Sequence, residues 1–133
     1  MHTIDAIHER LDAVVDTEGM LTAGSEAFEL IHRVCAAYVG NAPESYAMWM
    51  SAIPLACEGR DELACGYPVV QLPEDFEAVS EDDAADRLAA LAERLGVLLR
   101  SAADSAARRE DQHACRRAAA VADEIRERLA PDG

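Results

Sequence analysis

The sequence predicts an all-α fold: a single-domain bundle of four to five helices, with an irregular segment at about 59–79 and a C-terminal antiparallel helical hairpin over 80–130. Three observations carry this expectation. Apolar residues recur at three- and four-residue spacing along most of the chain, the period of one helix face. Half of the residues are apolar but only 5% are aromatic, and many of the apolar ones are alanine. That mix suits close helix packing better than sheets built on large β-branched side chains. Finally, 133 residues with no clear linker fit one domain.

The first helix is expected over Thr3–Glu18, where Ile4, Ile7, Leu11 and Val14 form a stripe and Gly19 offers a left-handed stop. A second is expected from Thr22 or Ser25 to Gly40. Its stripe of Phe28, Ile31, Cys35 and Tyr38 is widened by Ala27, Leu30, Val34 and Val39, which suggests a central position. Asn41 can cap a third helix with Pro43 in its first turn, and Tyr46, Trp49, Met50 and Ile53 as its apolar face. Pro54 lacks an amide hydrogen and is expected to kink or end it.

Residues 59–79 lose periodicity among Gly59, Gly66, Pro68 and Pro73, with a helical turn expected at Asp61–Cys65 and an extended stretch at Tyr67–Leu72. Ser80 and Asp83 resemble a capping box, with aspartate replacing the usual glutamate. Leu88, Leu91, Leu95, Leu98 and Ala102 then hold a heptad. Cys115, Ala118, Ala122, Ile125 and Leu129 form a separate stripe. The phase breaks near Asp104–Asp111, so a hairpin fits better than the alternative, one helix of roughly 50 residues in an oligomeric coiled coil.

Charge is distributed unevenly. Residues 1–83 carry 17 acidic and 3 basic side chains, whereas residues 84–133 carry nine of each, and lysine is absent. The acidic balance argues against nucleic acid, whose binders need a basic face to displace counterions. It disfavours anionic membrane surfaces for the same reason. No run reaches membrane-spanning length, and Met1–Asp5 lacks the pattern of an export signal, so the expected location is cytoplasmic. The four cysteines then read as reduced thiols, Cys35 and Cys115 in the core, Cys57 and Cys65 more accessible.

The sharpest constellation is a pair of Glu-x-x-His motifs, Glu29–His32 and Glu110–His113, on separate expected helices. Di-metal carboxylate bundles use two such pairs, with a further glutamate from each of two other helices, to hold iron or manganese. Against this, His32 lies off its helix's apolar stripe, Glu110 and His113 lie near a turn, and Asp86 and Glu93 face away from the leucines. The competing reading is an acid–histidine pair on a solvated helix face, a pattern that Asp5 and His8 repeat.

A zinc site on Cys57 and Cys65 fits no standard spacing. His8-Glu9-Arg10-Leu11-Asp12 echoes a zinc-protease helix but lacks its second histidine. No Gly-rich phosphate loop or nucleophile elbow occurs, so no catalytic residue or cofactor is assigned. Tyr46, Met48, Trp49 and Met50 give the third helix apolar character on more than one side, through core packing or a partner or ligand surface.

The favoured reading is a small acidic interaction or regulatory protein without catalysis, meeting a basic partner protein. The alternative is a helical-bundle protein that binds a metal (iron, manganese or zinc) or a small ligand. The leucines of 88–99 exceed what an alanine-rich last helix can cover, so helices one to three, or a second copy in a homodimer, must cover the rest.

Overall fold

The computed structural model describes residues 2–64, 70 and 79–130. These form five α-helices and no strand: α1 (His2–Asp12), α2 (Thr17–Tyr38), α3 (Tyr46–Leu63), α4 (Glu81–Ser105) and α5 (Arg109–Leu129). A 3-10 turn, Pro43–Ser45, leads into α3. The all-α bundle and its C-terminal hairpin agree with the sequence pattern.

Contacts fix the directions. The pairs Gly24–Leu63, Phe28–Gly59, Glu29–Arg60 and Tyr38–Trp49 run in opposite senses along α2 and α3, which are therefore antiparallel. Glu93–Arg126, Arg100–Asp123 and Asp104–Arg116 show the same for α4 and α5. Gly24 faces Leu95, and the Tyr38 hydroxyl donates to the Val79 carbonyl, so α2 is also antiparallel to α4. Helices α3 and α4 consequently run the same way, and the chain between them links opposite ends of the bundle. Val70 within that connection is buried in the core.

Helix α1 lies against α2 and α4 and buries Ile4, Ile7 and Leu11. One continuous core draws on all five helices. Leu88, Leu91, Leu95 and Leu99 are fully covered within the chain, so none of these four is left for a second copy.

Several boundaries differ from the sequence expectation. The first helix ends at Asp12, and α2 begins at Thr17 because Asp16 caps it, its carboxylate accepting from the Gly19 amide at 2.7 Å. Gly19 sits inside the first turn of α2 rather than ending α1. Asn41 caps nothing: the 3-10 turn starts after Ala42, and Ser45 precedes α3 without a side-chain cap. Pro54 does not end α3. It is exposed, so water can replace the donor lost to the Met50 carbonyl. The irregular segment therefore begins at Ala64, and Asp61–Leu63 form the last turn of α3; Cys65 and most of Tyr67–Leu72 lie outside the described residues.

Ser80 caps α4 as expected, accepting from the Asp83 amide at 3.1 Å, but the Asp83 carboxylate turns to Arg87 instead of completing the box. Gln112 donates to the Ala106 carbonyl at 2.8 Å and closes the hairpin turn.

Candidate functional site

Two places gather residues singled out by sequence, and a third emerges only in the structure. The first lies between α2 and α3. Glu29 is only 4% exposed, because the wide apolar face of α2 carries it inward with Phe28 and Leu30. Its carboxylate is fully engaged: Arg60 Nη1 donates to Oε1 and Oε2 at 3.1 and 3.4 Å, and His32 Nδ1 lies 3.0 Å from Oε1. Burial works against the Arg60 charge, but Glu29, Cys57 and Asp61 more than offset it, so its pKa stands above the ordinary value.

Thus Glu29 and His32 do meet, yet the cation beside the carboxylate is a guanidinium. Glu110 and His113 are exposed in the first turns of α5, with Glu110 paired to Arg108. Among the described residues no three His, Cys, Asp or Glu side chains converge, so Glu29, His32, Glu110 and His113 are not gathered into one cluster. The physical reason is that α2 supplies one pair to a charge-balanced interhelical contact, while α5 holds the other on its solvent side. The partnership of Arg60 with Glu29 is not legible in the sequence, because it depends on how α3 packs against α2.

The second place is the aromatic cluster of α3. Trp49 is fully buried, its ring stacked on Tyr38 with centroids 5.2 Å apart and planes at 19°. Its indole N–H donates to Glu81 Oε1 at 2.8 Å, and the Ser45 hydroxyl donates to the same oxygen at 2.8 Å. The four residues of this cluster therefore separate. Trp49 ties the start of α4 to α2 and α3 as core, Met48 is half-buried, and Tyr46 and Met50 remain 51% and 42% exposed.

The third place is the corner where α1 turns into α2. Val15 there is 93% exposed. On the α2 side lies an open groove of about 460 Å3, with Ala13, Val14, Val15 and Ala23 as apolar lining and Asp16, Glu18 and Glu26 as acids. Arg10 is its one cation, and it is paired with Glu26. On the α4 side a smaller depression of about 220 Å3 has Leu11, Val14, Met20, Leu98 and Ala102 in its lining. The sequence expectation ran one helix through this corner and so missed it. The available signal was Asp16-Thr17-Glu18, an N-cap followed by an acidic first turn.

Charges are shared across the fold. Arg94 pairs with Asp12 and donates to His8, and Arg117 pairs with Glu62 at 2.6 Å, so the charge-balanced part neutralises acids of the first part. Arginine only donates; His8 Nδ1, 2.8 Å from Arg94, is therefore the acceptor of a neutral ring. Burial, then the Arg94 charge, lower the His8 pKa, against an opposing effect of Asp5. By contrast Asp5, Glu9, Glu18, Glu44, Glu58 and Asp82 form no ion pair among the described residues.

Comparison with family models, characterised proteins and solved structures finds no match to this chain. No helix among the described residues is long and apolar enough to cross a membrane.

Proposed function

We propose that this protein is a small interaction or regulatory protein without catalysis, which meets a basic partner protein through its acidic first part. The observation that carries this reading is the exposed acid run on α1 and the start of α2. Asp5, Glu9 and Asp12 recur at helical spacing on the outer side of α1, and Asp16 and Glu18 continue the series. Asp12 alone of these pairs with an arginine, so a field of uncompensated negative charge remains. Such a field accelerates encounter with a cationic surface and makes association salt-sensitive. Arg60 beside Glu29 and the dispersed Glu110 and His113 give no comparable support to a metal-binding role.

Affinity capture at low and high salt tests this reading. The bait is wild-type protein or a variant with Asp5→Asn, Glu9→Gln and Glu18→Gln. A basic protein retained by the wild type at low salt, and lost both at high salt and with the variant, is the expected result. Capture of nothing, or equal capture by both baits, refutes it.

A further inference from the structure

The α1–α2 corner combines three properties. It has an almost fully exposed aliphatic side chain, Val15; an open depression on each side of it; and a rim in which acids outnumber cations. Two depressions separated by the Val14–Val15 ridge suit a chain laid across the ridge better than a compact small molecule. Successive apolar side chains of such a chain can enter both, one over Ala23, the other over Leu98 and Ala102.

The sign of the partner follows from the rim. Asp16 already fills the anion-accepting end of α2, because its carboxylate takes the Gly19 amide. Glu18 stands exposed without an ion pair among the described residues, and Arg10 is engaged by Glu26. On the α4 side, α1 and α4 both end: α1 is antiparallel to α2 across its short turn, as α4 is. Most terminal carbonyls of α1 are already engaged, those of Glu9 and Arg10 by the Ala13 amide and that of Leu11 by the Val14 amide, whereas the carbonyl end of α4 presents partial negative charge and its last turn contains no basic residue. An incoming cation therefore meets the carboxylates of Asp16 and Glu18 on one side of the ridge and the carbonyl end of α4 on the other.

We infer that the α1–α2 corner is the docking groove for an amphipathic basic segment of a partner protein. Its apolar side chains straddle Val15, and its lysines or arginines face Glu18, Asp16 and the carbonyl end of α4. This assignment rests on the acidic-interaction reading above and specifies the surface and the ligand chemistry for it.

The test is an NMR titration of the isotope-labelled full chain with a synthetic amphipathic peptide of leucine and lysine, and with its leucine–glutamate counterpart. The lysine peptide is expected to shift amides within residues 13–23 and 98–105, and the glutamate peptide is expected to leave them in place. Reversing one rim charge by Glu18→Arg should weaken binding about tenfold, a surface-pair attraction replaced by repulsion. Val15→Ser should weaken it by roughly threefold or more through lost apolar contact. Glu44→Arg, the same charge change beyond the far end of α2, should change it by less than about twofold. Equal weakening by Glu18→Arg and Glu44→Arg, or shifts centred elsewhere, overturns the groove while leaving a diffuse acidic surface in place. Concentration-dependent shifts at the corner without peptide would make a second copy the occupant and also overturn it. Failure of the lysine peptide to bind at all removes the basic-partner reading together with the groove.

Discussion

Gly59→Ala is expected to destabilise the fold, although an alanine inside a helix normally helps. Position 59 lies within α3, where replacing glycine by alanine contributes about 1 kcal/mol of helix propensity. The structure opposes that gain. A methyl group at Gly59 would stand within 2.6 Å of three ring atoms of Phe28. Favourable carbon contacts begin near 3.5 Å, so the ring or the helix must move by about 1 Å. The Phe28 ring is fully buried at the α2–α3 contact and has no open direction. Overpacking of this kind costs about 1–3 kcal/mol, and a fully buried ring in close contact takes the upper part of that range, about 2–3 kcal/mol, which leaves a net loss of about 1–2 kcal/mol. For a chain of 133 residues that corresponds to a fall in Tm of roughly 4–8 °C.

Gly40→Ala supplies the control. Nothing lies within 4 Å of its added methyl, so it should be neutral or stabilise by up to about 1 kcal/mol, through the unfolded chain. Urea and thermal melts followed by circular dichroism give both values. A Gly59→Ala protein as stable as wild type, or a Gly40→Ala protein that loses as much, would refute the assignment of α2–α3 packing to the Phe28–Gly59 contact.

Three further outcomes are expected. Glu29→Ala should cost about 2 kcal/mol by removing the nearer of the two carboxylates that pair with the largely buried Arg60. Combining it with Arg60→Met should recover at least about 1 kcal/mol relative to the summed single losses in a double-mutant cycle; additive losses would show no coupling. The neutral His8 held by Arg94 has a pKa below its unfolded value, so the unfolded chain takes up its proton first on acidification. Its effect on stability is absent above roughly pH 6.5 and grows as a loss below it, until the folded pKa is passed. Denaturation across that range should therefore show a shallower pH dependence for His8→Gln than for wild type, and identical slopes would sink this account. Burial pushes the Cys35 thiol up to about 12. Thiol reagents should therefore leave Cys35 and the equally buried Cys115 unmodified until the chain unfolds, while Cys57→Ser removes one fast native-state equivalent.

The helical class was legible because burial has a period. Ile4–Ile7–Leu11, Phe28–Ile31–Cys35–Tyr38 and Leu88–Leu91–Leu95 each announce one face of a helix, and each is inside. Local capping was legible in part. Ser80 stood directly before a clean stripe, whereas Asp16 was masked by Val14, which continued the stripe of α1 by chance. Gly59 and Pro54 read as stops because intrinsic propensity penalises both. Tertiary context overrode the first through the Phe28 ring and the second through solvent on the exposed side of α3.

The sequence alone determined the all-α class, the hairpin of α4 and α5 and the concentration of acid in the first part, since each depends on neighbours a few residues apart. The tertiary structure alone decided that Arg60 is the cation beside Glu29, that Trp49 anchors the start of α4, and that Val15 stands exposed between two depressions. Those outcomes depend on residues about 30 or more positions apart, or on which side of a turn faces water. A helical period places a residue on a face of its own helix; it does not state which other helix, or whether solvent, will cover that face.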